Sequence, residues 1–452
     1  MSTYVSSDST PVTSASQLEE HFRLPHPSPG KLGVEWELLP VNEEGRLVPF
    51  FGARGVEALL KRLRSLKDGI IEDNGHLIAL ELPDGGMFEL EPGGQVELAA
   101  PPKERLADTQ AFLRSQVARA EKNARSLGFR LAPWALAPLN APEDNDDVPK
   151  SRYRILASHL RARGDRGRWM MKLTAATQIT LDYEDEAHLA EMVRALLPIL
   201  PYLTALTANA PVYGGRPNGW QTLRPDIWQR TDPDRCGLPD HLFSEGFGFS
   251  SRVDYGLSRP AVFFVRDGQW VPGGGRTFAE ILDNPGELGP ITIADWRLHN
   301  PAIFTDLRMR GYLEIRTLDT LPLPLIMACA ALFKGLLGRR GGQQWAEAFP
   351  RAEAQPLRTA LLDAGRLGTA WRPQTGPGLF EGWKMLLDAA MAGLAAQKEP
   401  DSYLAPLEEL AREKRSPSMG WVQNDDGLWQ GPELGIQAAA RSDGRQRTDV
   451  GC

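Results

Sequence analysis

Paired glutamates are the residues of this sequence that could carry chemistry. Glu35 and Glu37 alternate with apolar residues in the segment GVEWEL, and Glu89 and Glu91 do the same in FELEPGG. Alternation with a period of two is typical of a strand that has one apolar face. The two carboxylates of each pair would then share the opposite face, where like charges repel each other. Such a face needs a cation, and oxygen ligands are those that Mg²⁺ prefers.

Two further segments extend the acidic face. Gln95 and Glu97 share one side of QVEL, and Glu314 and Arg316 share one side of YLEIRT. Proline and glycine pairs predict tight turns, so residues 77–98 are expected to form three short strands. The pattern leaves an alternative open, because acidic residues are also common on the solvated outer face of an antiparallel sheet.

The composition sets broad limits on the class of protein. The chain has 452 residues and a net charge of −7, and it has no basic block, so a nucleic-acid partner is not expected. Its three cysteines are scattered and its seven histidines form no H-x-x-x-H pair, which disfavours a disulfide framework or a zinc site. We therefore expect a reducing, cytoplasmic location. The sequence before residue 20 has no apolar stretch of the signal-peptide type.

The domain organisation is expected to be simple. We predict a mobile tail over residues 1–20, a single catalytic domain over 21–415 and a poorly ordered tail over 416–452. Apolar residues at helical spacing predict helices at 53–66, 103–127, 185–197, 201–209 and through most of 321–414. Period-two alternation predicts strands at 33–39, 129–135, 169–183, 260–266 and 311–318. The apolar run 321–338 contains prolines and a lysine, and is interpreted as a buried helix rather than a membrane span. The Gly/Pro/Trp-rich stretch 211–250 predicts a long functional loop region.

Six segments, in the same order along residues 30–410, resemble the plant-type glutamate–cysteine ligases. They are GVEWEL, LIALELPDGGMFELEPGGQVELAAPP, MMKLTAATQITLDY, RPDIWQRTDPDRCG, FGFSSRVDYGLSRPAVFFVRDGQW and DWRLHNPAIFTDLRMRGYLEIRTLD. LEPGGQVEL and YLEIRT are the most specific of these pieces. The resemblance implies the fold of the glutamine synthetase/glutamate–cysteine ligase superfamily. That fold is of the α+β class: a curved, mostly antiparallel β-sheet lined by helices, with the active site on the concave face.

The resemblance also implies a reaction. ATP would phosphorylate the γ-carboxylate of L-glutamate, and the amine of L-cysteine would take the acyl group to give γ-glutamylcysteine, ADP and phosphate. This is the first step of glutathione or ergothioneine synthesis. The implied cofactor is Mg²⁺ or Mn²⁺ with ATP as cosubstrate, and the implied partners are these small molecules, with neither nucleic acid nor a membrane. The metal ligands that the resemblance implies are Glu35, Glu37, Glu91, Glu97 and Glu314.

The resemblance assigns roles to further residues. It implies that Arg316 binds ATP and steadies the transferring phosphoryl group beside Glu314, and an ion pair between the two would be compatible with that role. It places Arg224 and Arg235 around the α-carboxylate of glutamate, which a guanidinium matches in a bidentate manner, and Trp228 in the pocket wall. The polar contacts that it implies to substrate are Gln95 and Gln178. The sequence leaves open a structural alternative, in which the two loop arginines pair with nearby acids: Asp226, Asp232 or Asp234.

Three positions depart from the family pattern. Cys236 and Thr180 stand where the family commonly has Thr and Asn, and Glu89 stands where a small residue is usual, so Glu89 is treated as accessory. We expect Glu314→Ala to abolish turnover and to leave the fold intact. Two alternatives remain open: a sister ligase that joins glutamate to another amine, and a non-catalytic binding protein with the same fold. A P-loop enzyme is disfavoured, since the sequence lacks G-x-x-x-x-G-K-[ST].

Overall fold

A nine-stranded β-sheet organises the chain, whose computed structural model describes residues 8–23 and 30–436. Its strands are β1 (Leu32–Val41), β2 (Gly69–Asp73), β3 (His76–Glu81), β4 (Met87–Leu90), β5 (Val96–Lys103), β6 (Arg130–Ala132), β7 (Thr177–Leu181), β8 (Leu307–Met309) and β9 (Leu313–Ile315). The spatial order is β8-β9-β7-β1-β5-β4-β3-β2, and β6 pairs with the end of β1. Each neighbouring pair is antiparallel, which confirms the mostly antiparallel sheet.

Helices surround this sheet, which confirms the α+β class. They are α1 (Ala15–Glu19), α2 (Val56–Leu63), α3 (Leu106–Ser126), α4 (Ser151–Arg161), α5 (Gly167–Leu173), α6 (Glu186–Leu196), α7 (Leu200–Thr207), α8 (Arg224–Gln229), α9 (Phe249–Leu257), α10 (Phe278–Asp283), α11 (Ile293–His299), α12 (Leu323–Leu337), α13 (Ala354–Leu367), α14 (Leu379–Ala396) and α15 (Ala405–Glu413). Of these, α2, α3 and α12 pack on the sheet. The apolar members of the alternating strands, such as Trp36, Phe88 and Leu98, are buried in the same core as the apolar faces of these helices.

Short two-stranded ladders form outside the main sheet. They pair Val212–Tyr213 with Arg216–Pro217, Cys236–Gly237 with Phe304–Thr305, Phe263–Arg266 with Gln269–Pro272, and Val422–Gln423 with Trp429–Gln430. The ladder at Cys236 is parallel, and it ties the loop region 211–250 to the segment that leads into β8. Two parts of the chain that are distant in sequence therefore meet beside the end of the sheet.

The three strands predicted within residues 77–98 are confirmed as β3, β4 and β5. Their turns have the backbone that the sequence requires, because Gly85 and Gly94 have φ angles of +87° and +86°. The turn between β4 and β5 is closed by the Glu91 N–H, which donates to the Gln95 carbonyl at 2.9 Å. This short turn fixes where Glu91 and Glu97 lie relative to each other.

Part of the predicted strand 169–183 is wrong, because its first half is the helix α5. Residues 169–173 are almost continuously apolar, and periodicity does not separate a buried strand from a buried helix in so short a run. Packing decides the outcome: Met171 and Leu173 are buried, and the Lys172 ammonium donates to the Asn145 carbonyl and the Asp147 carboxylate, both at 2.7 Å. The strand begins only at Thr177.

The ends of the described chain pack onto the domain, in contrast with the predicted tails. Leu18 and Phe22 are buried, and the Trp296 indole N–H donates to the Leu18 carbonyl at 3.1 Å. Trp421 is also buried, and its indole N–H donates to Asn209 Oδ1 at 3.0 Å. These contacts place residues 8–20 and 416–436 with the domain, while 1–7 and 437–452 lie outside the described residues.

The helix α12 is buried, as its interpretation as a core helix requires. A second helical run, Glu186–Thr207, has the length and composition to cross a membrane, but 83% of its most apolar window is buried inside the protein. That is weak support for a membrane span, because the core helix of a globular protein has the same composition.

Candidate active site

Strand register brings the predicted carboxylates onto one face of the sheet. Glu97 on β5 lies opposite Glu37 on β1 and opposite Glu89 on β4. Glu35 lies two residues from Glu37, opposite Gln178 on β7. Residues directly opposite each other on neighbouring strands share a face, so these five side chains emerge on the same side.

The same face continues across β7, β9 and β8. Thr180 lies opposite both Gly33 and Glu314, and Glu314 lies opposite Arg308. The Thr180 hydroxyl accepts a hydrogen bond from the Gly33 N–H at 3.2 Å, and a Cβ added at Gly33 would lie 2.5 Å from that hydroxyl. Thr180, one of the departures from the family pattern, therefore fills the space that a glycine leaves on β1.

Three of the carboxylates lie where burial and their acidic neighbours favour the protonated form. Burial and the charge of Glu91 raise the pKa of Glu37 to about 7. Burial and then the Glu314 carboxylate raise the pKa of Glu35, while burial, Glu35 and Glu91 raise the pKa of Glu97 well above its ordinary value. Burial is the first cause in all three, and the predicted repulsion between like charges on one face is the second.

Glu314 is in a different environment. Both of its oxygens accept from Arg308, at 2.7 and 2.8 Å, and Oε1 also accepts from Arg316 Nη1 at 2.6 Å. Although burial raises the pKa of Glu314, Arg308 and Arg316 more than offset it, so the pKa lies well below the ordinary value. The expected ion pair with Arg316 is present. Glu314→Ala would leave two arginines in a buried site without their carboxylate, so we expect this substitution to lower the stability of the fold as well as turnover.

Sequence reasoning missed Arg308. It is buried, and besides its bidentate pair with Glu314 it donates through Nη1 to the Pro301 carbonyl at 2.9 Å. A signal was available: Arg308 and Glu314 flank the short turn at Gly311, and residues paired across a hairpin can carry opposite charge. The length of β9 was overestimated, and without its true register this pairing could not be located.

A chain of hydrogen bonds connects the acidic and the basic parts of the face. Glu37 accepts from the Ala176 N–H and from Gln178 Nε2, both at 2.7 Å. Gln178 Oε1 accepts from Arg316 Nη1 at 2.6 Å. Gln178 is almost fully buried in this position, and it fixes the spacing between the Glu37 carboxylate and the Arg316 guanidinium.

Glu89 has its own basic partners. Lys150 Nζ lies 2.6 Å and Arg152 Nη2 lies 3.0 Å from Glu89 Oε1, and all three side chains are buried. Burial raises the pKa of Glu89, but Lys150 and Arg152 outweigh it and hold that pKa at about 2. The accessory role expected for Glu89 is thus a structural ion pair at the edge of the acidic face.

The arrangement fits divalent cations bound together with a substrate. Within residues 8–23 and 30–436, no three His, Cys, Asp or Glu side chains lie close enough to hold one metal ion between them. The carboxylates form a row along the face instead of a closed cage. Mg²⁺ commonly takes one or two carboxylates and completes its octahedron with water and substrate phosphates. The four glutamates with the chemistry for this are Glu35, Glu37, Glu91 and Glu97.

The two arginines predicted around glutamate occupy different environments. Arg235 is completely buried, and its nitrogens donate to Asp232 at 2.6 Å, to the Ala302 and Pro260 carbonyls, and to His159. This is the structural alternative that the sequence left open, and it argues against a direct substrate contact.

Arg224 lies at the start of α8, and its Nη1 donates to the Leu318 carbonyl at 2.9 Å and to Asp319 at 3.1 Å. Its partner is therefore an acid far along the chain rather than one in its own loop. Arg224 and Trp228 both line a cavity, and the substrate contacts expected of them stay predictions.

Gln95 has a structural role. Its Oε1 accepts from the Gly93 N–H at 2.8 Å, while Nε2 donates to the Met171 and Thr174 carbonyls at 3.2 and 2.8 Å. These bonds fasten the turn after β4 to the end of α5. The substrate contact predicted for Gln95 is therefore disfavoured, because its amide is occupied on both sides.

Two cavities meet at this face. The smaller, about 60 Å³, is lined by Glu37, Glu91, Glu97, Gln178 and Arg308, together with Arg316 and Trp228. The larger, about 390 Å³, is lined by Arg224, Cys236 and Asp306, and again by Arg316 and Trp228. The two shared residues place the acidic chamber and the larger chamber next to each other.

Comparison with known sequences agrees with the family resemblance of the sequence motifs. The model of glutamate–cysteine ligase family 2 matches residues 31–428. Among the curated relatives, chloroplastic glutamate–cysteine ligase of Brassica juncea is 37% identical over 255 residues, which is 55% of this chain and 49% of that protein. The chloroplastic glutamate–cysteine ligase B of Oryza sativa subsp. japonica is 34% identical over 276 residues, 60% of this chain and 55% of that protein. The chain spans about half the length of the curated relatives it matches.

Comparison with solved structures supports the fold. A glutamate–cysteine ligase from Francisella tularensis, solved in complex with AMP, superposes with a TM-score of 0.53 and 13% identity over 87% of this chain and 83% of that chain. The similarity shows a shared fold. The curvature of the sheet and a site on its concave face stay predictions.

The comparisons contradict one expectation and leave another without support. The relatives from Brassica juncea, Arabidopsis thaliana and Nicotiana tabacum are chloroplastic, against the expected cytoplasmic location. That expectation came from cysteine content and from the lack of an apolar signal. Neither feature excludes a plastid, whose transit peptides are Ser-rich and amphipathic rather than apolar. The names of these relatives do not support the ergothioneine branch.

Proposed function

Because this chain belongs to glutamate–cysteine ligase family 2, we propose that it joins the γ-carboxylate of L-glutamate to the amine of L-cysteine, with ATP as cosubstrate. The products are γ-glutamylcysteine, ADP and phosphate, the first step of glutathione synthesis. The observation that supports this most strongly is the small cavity in which acidic side chains with raised pKa values face the Arg308–Arg316 pair. That chamber has the charges needed to bind a metal-complexed triphosphate and to transfer its end group.

The acidic residues would hold the cation. Glu35, Glu37, Glu91 and Glu97 would bind Mg²⁺ or Mn²⁺, which when bound neutralises phosphate charge and orients the phosphates. Glu314 was predicted as a fifth ligand, but its oxygens already accept from two arginines. We therefore propose that Glu314 acts as a positioning residue that holds Arg308 and Arg316 in place.

Arg316 would act on the transferring phosphoryl group. Its side chain is only 13% exposed, and it reaches both cavities from a position fixed by Gln178 and Glu314. A preorganised cation in a water-poor chamber stabilises the charge that develops on the phosphoryl oxygens. The γ-carboxylate of glutamate would approach the same point and form γ-glutamyl phosphate, which the amine then attacks with release of phosphate.

The proposal is tested by turnover with a defined product. The full chain would be incubated with ATP, Mg²⁺ and L-glutamate, and phosphate release would be compared between L-cysteine and a panel of other amines, with each product identified by mass. We expect γ-glutamylcysteine and a strong preference for cysteine. Release driven by another amine would contradict the assigned acceptor while keeping the phosphate chemistry. No release with any amine would overturn the proposed function.

A further inference from the structure

The larger cavity contains polar groups that phosphate transfer does not use. It shares Arg316 and Trp228 with the acidic chamber and has a volume of about 390 Å³. Leu238, Leu361 and several prolines make part of its wall apolar. A cavity of this size, with an apolar wall and a few polar groups, is typical of a small-molecule site.

Three polar atoms of the cavity-lining residues are buried without a hydrogen-bond partner in the described part of the chain. They are Arg224 Nε, Trp228 Nε1 and Thr317 Oγ1. Arg224 is 3% exposed, so its guanidinium is well sheltered from bulk water. A buried polar atom without a partner is unfavourable, so these groups would be better satisfied by a molecule in the cavity.

A carboxylate accompanies these donors. Asp306 lines the cavity, and its carbonyl accepts from the Arg316 N–H at 2.9 Å, which continues the β8–β9 ladder by one pair. Asp306 therefore lies on the same face as Arg316 and Glu314. Burial raises the pKa of Asp306 to about 6, against the opposing effect of Arg316 and then Arg224. The side chain is thus ionised above neutral pH, and the charges of Arg316 and Arg224 both act on it.

We propose that the larger cavity binds an α-amino acid as its zwitterion, with the Asp306 carboxylate accepting hydrogen bonds from the ammonium group. The N–H groups of Arg224 and Trp228 would donate to the α-carboxylate, and the apolar wall at Leu238 would contact the side chain. This inference rests on the proposed function and adds Asp306 to it as a specificity-determining residue. Asp306 is half-buried, and an analogue without the amine would remove one hydrogen bond from its carboxylate, so the site should favour the amino acid.

Two amino acids of the reaction share this chemistry. The donor glutamate and the acceptor cysteine both carry an α-ammonium and an α-carboxylate, and both must reach the junction at Arg316. The cavity is large enough for either of them. The experiment therefore has one arm for each amino acid.

The test compares each amino acid with its counterpart that lacks the amine. Binding to the full-chain protein is measured by calorimetry at pH 8 without ATP, for L-glutamate against glutarate and for L-2-aminobutyrate, an analogue of cysteine that does not oxidise, against butyrate. We expect wild-type protein to prefer at least one amino acid over its counterpart by about tenfold or more. Asp306→Asn should reduce that preference to about twofold. Asp425→Asn, which changes an exposed loop residue in the same way, should keep it.

The outcomes distinguish the proposed role of Asp306 from the proposed ligase reaction. The arm whose preference collapses in Asp306→Asn identifies the occupant, and a collapse in both arms supports a shared site. An unchanged preference in Asp306→Asn, or no preference in the wild-type protein, would overturn the role of Asp306. The measurement needs no turnover, so a failure of the proposed ligase reaction would appear only in the separate phosphate and product assay.

Discussion

Glu89 and Glu97 lie directly opposite each other on neighbouring strands, yet their surroundings have opposite effects on them. Glu89 has Lys150 and Arg152 within 3.0 Å, and its pKa is held at about 2. Glu97 faces Glu35 and Glu91 instead, and its pKa lies well above its ordinary value. Basic side chains therefore lie beside Glu89, whereas further acidic side chains lie near Glu97. We therefore propose that Glu89 has a structural role and that Glu97 binds a cation from outside the chain.

The same contrast recurs along the sheet face. At the β8–β9 end, Glu314 is neutralised by two arginines, while at the β1 end Glu37 has amide donors and an acidic neighbour. Gln178 joins the two ends. An acidic end that needs a cation and a basic end that carries its own charge are what a metal-complexed triphosphate requires. Substitutions at the two ends should therefore have different consequences for turnover and for stability.

The largest effect is expected from Glu97→Gln. Removing one carboxylate from the acidic end should lower ATP-dependent turnover by about a thousandfold, since metal-assisted charge neutralisation contributes several kcal/mol. Phosphate release would be followed while Mg²⁺ is titrated. Glu408→Gln, an exposed substitution of the same kind, should keep wild-type turnover. Normal activity in Glu97→Gln would show that the acidic end is not a cation site.

Glu89→Gln should act on stability instead. It leaves Lys150 and Arg152 in a buried site without their carboxylate, so the free energy of unfolding should fall by about 3–5 kcal/mol. Under the same conditions, with EDTA present, Glu97→Gln should be neutral or stabilising, because it replaces a carboxyl group whose ionisation is disfavoured there. Urea unfolding of both variants measures the difference. Equal losses of stability would contradict the division between the two opposite carboxylates.

The pH dependence of stability should differ between the two ends in metal-free protein. The pKa of Glu37 rises from 4.5 to about 7 on folding, so its contribution is full below 4.5 and is lost as the pH rises through 7. The size of this contribution is at most about 3 kcal/mol. The pKa of Glu89 falls to about 2, so its contribution is present above 4.5 and is lost as the pH falls through 2.

Urea unfolding between pH 5 and 8 in EDTA measures the first of these windows. Wild-type protein should lose stability as the pH rises, and Glu37→Gln should lose less. Mg²⁺ with ADP should restore part of the loss at pH 8, because a cation replaces the proton. A stability that rises from pH 5 to pH 8 in both proteins would contradict the assignment of Glu37 to the uncompensated end.

The smallest effect is expected from Gln178→Leu, which breaks the connection between the two ends. Glu37 Oε1 and Arg316 Nη1 would each lose one hydrogen bond, so we expect a loss of about 1–2 kcal/mol in stability and about a tenfold loss of turnover. Gln178→Glu serves as the matched variant, because it keeps the bond to Arg316 but adds a negative charge beside Glu37. If Gln178→Leu has no effect on turnover, the connection does not position Arg316.

Much of this site could be predicted because strand alternation is a local property. Glu35, Glu37 and Glu97 follow the period-two pattern, and the structure places them on one face through the register of β1 and β5. The pattern could not show which carboxylates have partners. Lys150 and Arg152 lie 61 and 63 residues along the chain from Glu89, and tertiary packing alone brings them together.

The two arginines of the loop region also show that a local sequence pattern cannot predict the partners of a side chain. Arg224 and Arg235 are equivalent as sequence signals, since both stand in a loop rich in acids. Their environments differ in the folded protein. Arg235 is buried and donates hydrogen bonds to three segments of the chain, while Arg224 lines a cavity. The sequence around Asp306 contains no motif that predicts a site. Asp306 lies beside that cavity because it extends the β8–β9 strand pair, and this position is known only from the fold.

The acidic end of the sheet face is proposed to bind divalent cations. Binding of Mn²⁺ to the full-chain protein with ADP, followed by electron paramagnetic resonance, tests it without turnover. Wild-type protein and Glu408→Gln should bind Mn²⁺ with the same affinity, and Glu97→Gln should weaken that affinity by about tenfold or more. Equal Mn²⁺ affinity in Glu97→Gln and in wild-type protein would contradict the account.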